Sequence, residues 1–229
     1  MVVVALVATM LSNVVATVFE VMHYGILADL DRGVDLRYDE VNDSDIRLLV
    51  AYGVEALTYI AAGIAFLAWF HRTYRNLPRL GVWPIRHDVG WAVGAWLIPV
   101  FNLVQPKRLF NDAWRGSEPV PGPKQLGAHP HVPAVVHVWW AAWVLVSMLY
   151  AIESRIASEV QTLPEQKAAT LLAISANVLT VVAGVLAIVV VRMLTERQSE
   201  AIERQLATAP PPPPPVPAPP PYAPPSHPM

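Results

Sequence analysis

Charged residues are excluded from long stretches of this chain, and that exclusion constrains its fold more than any motif does. Asp, Glu, Lys and Arg are absent from 1–19, 89–106, 125–152 and 168–191, and 48–71 contains only Glu55. About 20 apolar residues in a helix cover a hydrocarbon layer about 30 Å thick. The composition agrees, with 54% hydrophobic residues, 15% charged residues and a mean hydropathy of +0.39. A water-soluble domain has a different balance. The expected fold is all-α and integral to a membrane, with four spanning helices at about 2–27, 48–70, 134–154 and 168–192.

The stretch 89–105, VGWAVGAWLIPVFNLVQ, is apolar but poorly suited to a full crossing. It sits at the lower length limit, about 17 residues, and contains Pro99 and Asn102. Arg72, Arg75, Arg79 and Arg86 precede it, and Lys107, Arg108, Arg115 and Lys124 follow. A true span separates a basic side from a less basic one. Cations on both flanks therefore predict a short re-entrant or interfacial helical segment, with both flanks on the same side.

Loop charge also sets the expected orientation. The 28–47 segment has Arg32, Arg37 and Arg47 against seven acidic residues and reads as an acidic loop on the outer side, because positive charge is what is retained inside. The arginine-rich 71–88 loop then falls in the cytoplasm, and both termini follow it. A multi-pass protein of the cytoplasmic membrane results. Trp69 with Arg72 and Arg75, and His137 with Trp139, Trp140 and Trp143, read as interfacial belts. The first apolar run lacks a positive n-region, so it is expected to remain as a helix.

Several local motifs carry a family likeness. Phe66-Leu67-Ala68-Trp69, Arg72 and Tyr74-Arg75-Asn76-Leu77 are followed by Gly90-Trp91-Ala92-Val93, Trp96, Ile98-Pro99, Asn102-Leu103, Pro106 and Trp114. Over about 52–192 this series resembles the DUF4328 family of bacterial, largely actinobacterial, membrane proteins. The resemblance implies a multi-helix membrane domain of unknown function and supplies no catalytic residues. The immediate hydrophobic start departs from relatives that begin with a longer polar or proline-rich region.

Three groups of residues are candidate sites. In the central motif of Trp91, Trp96, Pro99, Asn102 and Pro106, Pro99 frees a backbone carbonyl that Asn102 could satisfy, as in broken helices of transport proteins. A wedge anchored by Trp91 and Trp96, with Asn102 capping its own backbone, is the simpler reading and is preferred. Glu20 and His23 share a face of the first helix, and Glu55 enters the second at a similar depth. Ionisable groups there can mark proton or ion paths, but a solvated cluster near the outer boundary is preferred. Arg72, Arg75, Lys107 and Arg108 could contact lipid headgroups, although the positive-inside bias alone accounts for them.

Other chemistry finds little support. There is no Cys, which excludes thiolate catalysis and thiolate metal sites. No nucleophile elbow, phosphate loop or zinc-protease motif occurs, so an enzyme is not expected. His71 and His137 lack the pairing that axial haem ligation needs, and no cofactor or metal is expected. A net charge of -2 gives no argument for nucleic acid. From about 208–229 the chain is proline-rich and expected to be disordered or extended, a form that proline-reading grooves recognise. The expected function is organising or sensing at the inner leaflet, with membrane lipids and a cytoplasmic protein on the tail as partners. The alternative is a small transporter or channel subunit, built as a homo-oligomer.

Overall fold

The computed structural model describes residues 1–120, 122–124, 126, 131–157 and 162–208. The proline-rich segment lies outside the described residues from 209 onward. Six α-helices are present among the described residues: α1 (Val2–Asp31), α2 (Tyr38–Arg75), α3 (Trp91–Leu97), α4 (Gln105–Gly116), α5 (Ala134–Ala157) and α6 (Leu163–Thr208). Four of these, α1, α2, α5 and α6, are long and apolar enough to cross a membrane. Their outward residues stay apolar, with Val4 72% and Leu57 70% exposed. Side chains of that kind face hydrocarbon without cost, which is why the helices read as spans.

Helix α6 packs along α1 and α5, and α1 packs along α2. Side-chain bonds fix the directions. Lys167 pairs with Asp31 at 3.0 Å, and the Thr9 hydroxyl donates to the Thr58 carbonyl at 3.0 Å, so α1 runs antiparallel to both α6 and α2. Trp69 Nε1 donates to Thr195 Oγ1 at 3.1 Å, which sets α2 parallel to α6. One end of the bundle, the basic end, therefore gathers the start of α1, the end of α2 and the C-terminal part of α6. The opposite end is acidic.

The 28–47 loop expected from the sequence is mostly helix. Only 32–37 connect α1 to α2. Arg32 bonds Asp29 one turn back, and Asp39 and Glu40 occupy the first turn of α2, where carboxylates complement the helix dipole. Charge in this segment marks helices leaving the apolar layer and not a loss of helix. Likewise, α6 continues as one helix to Thr208.

The 89–105 stretch is not one helix either. Helix α3 has 7 residues, too few for a crossing at about 1.5 Å per residue. The chain then reverses through Ile98 to Val100 and a 3-10 turn, Phe101–Leu103, into α4. Val100 has φ of 69°, the only non-glycine positive φ among the described residues. Pro106 occupies the first turn of α4, where a missing N–H is harmless.

The described residues between α2 and α5 form a cap on the C-terminal part of α6. Gln198 donates to the Thr73 carbonyl at 2.9 Å and to Ser117 Oγ at 3.0 Å. The Arg197 guanidinium lies 4.8 Å from the Trp114 ring centroid. Leu77, Leu80, Val82 and Phe110 are wholly buried beneath this cap. Gly116 has no room for a side chain, since a Cβ would sit 2.8 Å from Leu77 Cδ2 and 2.9 Å from Val82 Cγ2.

Candidate functional site

The buried face of α1 carries Thr9, Asn13, Ala16 and Glu20 at steps of three and four residues, a mostly polar stripe on a helix rich in apolar residues. The facing residues on α6 are Asn177, Thr180 and Ala183, and Tyr150 reaches in from α5. Polar groups in a hydrocarbon layer must find partners in the bundle, and these four helices supply them to one another.

The resulting column is continuous. Glu20 is 0% exposed, and Asn177 Nδ2 lies 3.2 Å from both of its carboxyl oxygens. The Tyr150 hydroxyl lies 3.0 Å from Asn177 Oδ1, 3.2 Å from Thr180 Oγ1 and 3.4 Å from Asn13 Oδ1. Asn13 donates to the Thr9 carbonyl at 2.8 Å, and Ser12 and Thr58 exchange a hydroxyl contact at 2.8 Å. Tyr52 of α2 hydrogen-bonds Glu20, and Glu55 of α2 and Glu153 of α5 stand within electrostatic range of it.

The solvated outer cluster expected for Glu20, His23 and Glu55 is therefore not present as such. Glu20 is buried. His23 turns away, with Nδ1 3.0 Å from Ser44 Oγ and 3.8 Å from Asp45. Glu55 is partly covered, and its Oε1 is buried without a hydrogen-bond partner. Depth along a helix could be read from the sequence. Which neighbour closes over a side chain could not.

Toward the basic end the column meets a cavity of about 280 Å³. Thr9 and Thr180 belong to both, and Ala62, Gly63, Phe66, Trp139 and Gly184 form much of the remaining wall. Small residues leave the space open while the aromatic rings bound it. Trp96 and Asn102 of the 89–106 segment close one side.

Within that segment the anchoring wedge needs correction at two residues. Trp96 is not a surface anchor, because its ring packs edge-on against Phe66 at 5.2 Å and Trp143 at 5.5 Å. Asn102 does not cap its own backbone, and its Oδ1 is buried without a partner, as is Trp96 Nε1. Trp91 is more open, at 37% exposure, with its ring 6.4 Å from Phe101. Leu97, Val100, Phe101 and Val104 form an exposed apolar tip beside Pro99.

The basic residues divide as well. Arg72, Arg75 and Arg108 are exposed, whereas Lys107 is partly buried and donates to Asn111 Oδ1 at 2.8 Å. Burial, with the Arg115 charge adding to it, pulls the Lys107 ammonium down to about 8. Asp112 is 1% exposed, and burial pushes its carboxyl upward against the pull of Arg86, 3.6 Å away, and of His87 and Arg115. Among the described residues no group of three or more metal-ligating side chains occurs.

With the four long helices, the broken 89–105 segment and its Trp, Pro and Asn residues in place, the family comparison becomes interpretable. A model described as a domain of unknown function, DUF4328, matches residues 32–196, more than half of the chain. The chain belongs to the DUF4328 family. No curated protein and no solved structure matches it. The DUF4328 match takes in α2 to α5 and most of α6, so it covers the cavity lining outside α1 and the Asn177 side of the column. Glu20 and Asn13 on α1 lie before it.

Proposed function

We propose that this chain is a non-enzymatic, four-span protein of the cytoplasmic membrane that organises or senses at the inner leaflet, holding lipid phosphates at its basic end. In this reading both termini are cytoplasmic, and the 89–105 segment enters and leaves from the cytoplasmic face. Positive charge at Arg72, Arg75, Arg79, Arg86, Lys107 and Arg108 supports that orientation. The exposed tip around Val100 and Phe101 suits contact with hydrocarbon. The 208–229 segment serves as a docking strand for a cytoplasmic partner.

The observation that carries the lipid reading is the setting of Lys107. It is partly buried and repelled by Arg115, and no carboxylate pairs with it among the described residues. A cation held in this way gains more from an arriving phosphate than a freely solvated one does. Thermal unfolding of the full chain in nanodiscs tests the reading. Anionic lipid should raise Tm relative to zwitterionic lipid, and Lys107→Gln with Arg108→Gln should reduce that gain. An equal Tm in both lipids would remove the reading.

A second reading, a small oligomeric transporter or channel subunit, is favoured by the buried column from Glu20 to Thr9. Flux of protons or cations into liposomes, lost in Glu20→Gln and Asn102→Ala, would support it. Pure protein giving no flux would reject it.

A further inference from the structure

We infer that Glu20 is a proton-binding site, and that its proton state is passed as a reversal of hydrogen bonds through Asn177 and Tyr150 to Asn13. The inference rests on the column alone and is independent of lipid binding at the basic end.

Glu20 lies eleven residues before the end of α1, about 16 Å along the axis. It is wholly enclosed. The groups that face it are Asn177 from α6, Tyr52, which hydrogen-bonds it, and Glu55 from α2, and Glu153 from α5. On its own helix the nearest ionisable residue, His23, is engaged with Ser44 and Asp45. No Lys, Arg or His forms an ion pair with Glu20 among the described residues. A buried carboxylate with only neutral or acidic neighbours carries a desolvation penalty, which one bound proton removes.

The neighbouring side chains are arranged so that this proton has a second consequence. Tyr150 has one hydroxyl proton and three acceptors within reach: Asn177 Oδ1, Thr180 Oγ1 and Asn13 Oδ1. Thr180 spends its own proton on the Ala176 carbonyl at 2.8 Å. When Glu20 is ionised, the Asn177 amide nitrogen faces the carboxylate, its carbonyl takes the Tyr150 proton, and Asn13 Oδ1 is left without a donor.

When Glu20 is protonated, its O–H donates to the Asn177 carbonyl once the amide turns over. The Asn177 nitrogen then donates to the Tyr150 oxygen, freeing the Tyr150 proton for Asn13 Oδ1. The Asn177 carbonyl, the Tyr150 oxygen and Asn13 Oδ1 each then receive a donor. One proton enters from water on the acidic side, past Glu55 and Glu153, and one O–H bond forms on Glu20. No other bond changes. The line ends at Asn13, whose amide nitrogen donates to the carbonyl of Thr9, a residue of the cavity wall.

Infrared difference spectroscopy of the full chain in nanodiscs, titrated with pH, tests this inference. The expected result is a carboxylic C=O band that titrates together with a tyrosine ring band. Glu20→Gln, nearly equal in shape, should lose the carboxylic band and one proton of uptake. Tyr150→Phe should keep the carboxylic band and lose the tyrosine change, and Asn177→Leu should uncouple the two. Glu55→Gln should shift the midpoint but preserve the band. An unchanged carboxylic band in Glu20→Gln would overturn the site. A tyrosine band that does not follow pH in the wild-type chain would overturn the reversal.

Discussion

Asn177 places one amide nitrogen 3.2 Å from each carboxyl oxygen of Glu20, joining α6 to α1 inside the apolar layer. The sequence separation is 157 residues, and both side chains are at most 1% exposed. Small residues at Ala16, Ala173, Ala176 and Ala183 let the two helices approach closely enough for that contact.

Asn177 and Tyr150 should be energetically coupled. Tyr150→Phe alone removes one hydrogen bond in the bundle, worth about 1 kcal/mol. In combination with Asn177→Leu the losses should fall short of additive by a similar amount. Unfolding of the four species in detergent measures this difference. Strict additivity would place the two residues in separate networks.

Glycine substitutions should divide by position. Gly116→Ala drives a Cβ to 2.8 Å from Leu77 and 2.9 Å from Val82, and overpacking of this kind costs about 1–3 kcal/mol. Gly63→Ala meets nothing within 4 Å in the middle of α2 and should gain about 0.5–1 kcal/mol from helix propensity. Tm values moving in the same direction for both variants would contradict the cap packing.

Val100 is β-branched and sits at φ of 69°, a conformation that costs about 1–3 kcal/mol for such a residue. Val100→Gly should relieve that strain and raise stability, even though a large apolar side chain is lost. Since Val100 is 78% exposed, little packing is lost with it. A lower Tm would mean that the side chain gains more from the bilayer than the backbone loses.

Lys107 gives a pH-dependent term. Its ammonium is held at about 8 in the folded chain, below the ordinary 10.5, so between these values the unfolded chain binds more protons. Stability from this residue therefore rises with pH across that window, and the penalty is complete below about 8. Lys107→Met should flatten the slope of stability against pH between 8 and 10.5. An unaltered slope would show that Lys107 is freely solvated.

The four long helices were legible because exclusion of charge acts over whole segments and does not depend on neighbours. Past Arg192, Glu196, Glu200, Glu203 and Arg204 recur at helical spacing, and α6 runs on through them to Thr208. The helical character of 28–47 is not legible in the sequence, because its charges suit a loop and a helix outside the bilayer equally. Trp96 and Glu20 were misjudged for a different reason. A tryptophan near basic residues and a glutamate near a span end both look interfacial until packing with Phe66, Trp143 and Asn177 encloses them.

Asn13 and Tyr150 were missed altogether. A signal for Asn13 existed: Thr9, Asn13 and Glu20 fall on one face of α1, and a polar stripe in an apolar helix demands a polar partner. Nothing comparable marks Tyr150, whose hydroxyl acquires its role only when α5 lies against α6.

The side of the membrane that each connection occupies is directly measurable, because the chain has no cysteine. Single cysteines replace Asp35, between α1 and α2, and Val120, after α4, and intact cells are treated with a membrane-impermeant maleimide. The four-span arrangement with a re-entrant 89–105 segment predicts labelling at position 35 from outside and labelling at position 120 only after permeabilisation. Labelling at position 120 in intact cells would contradict it, because 89–105 would then cross the membrane completely.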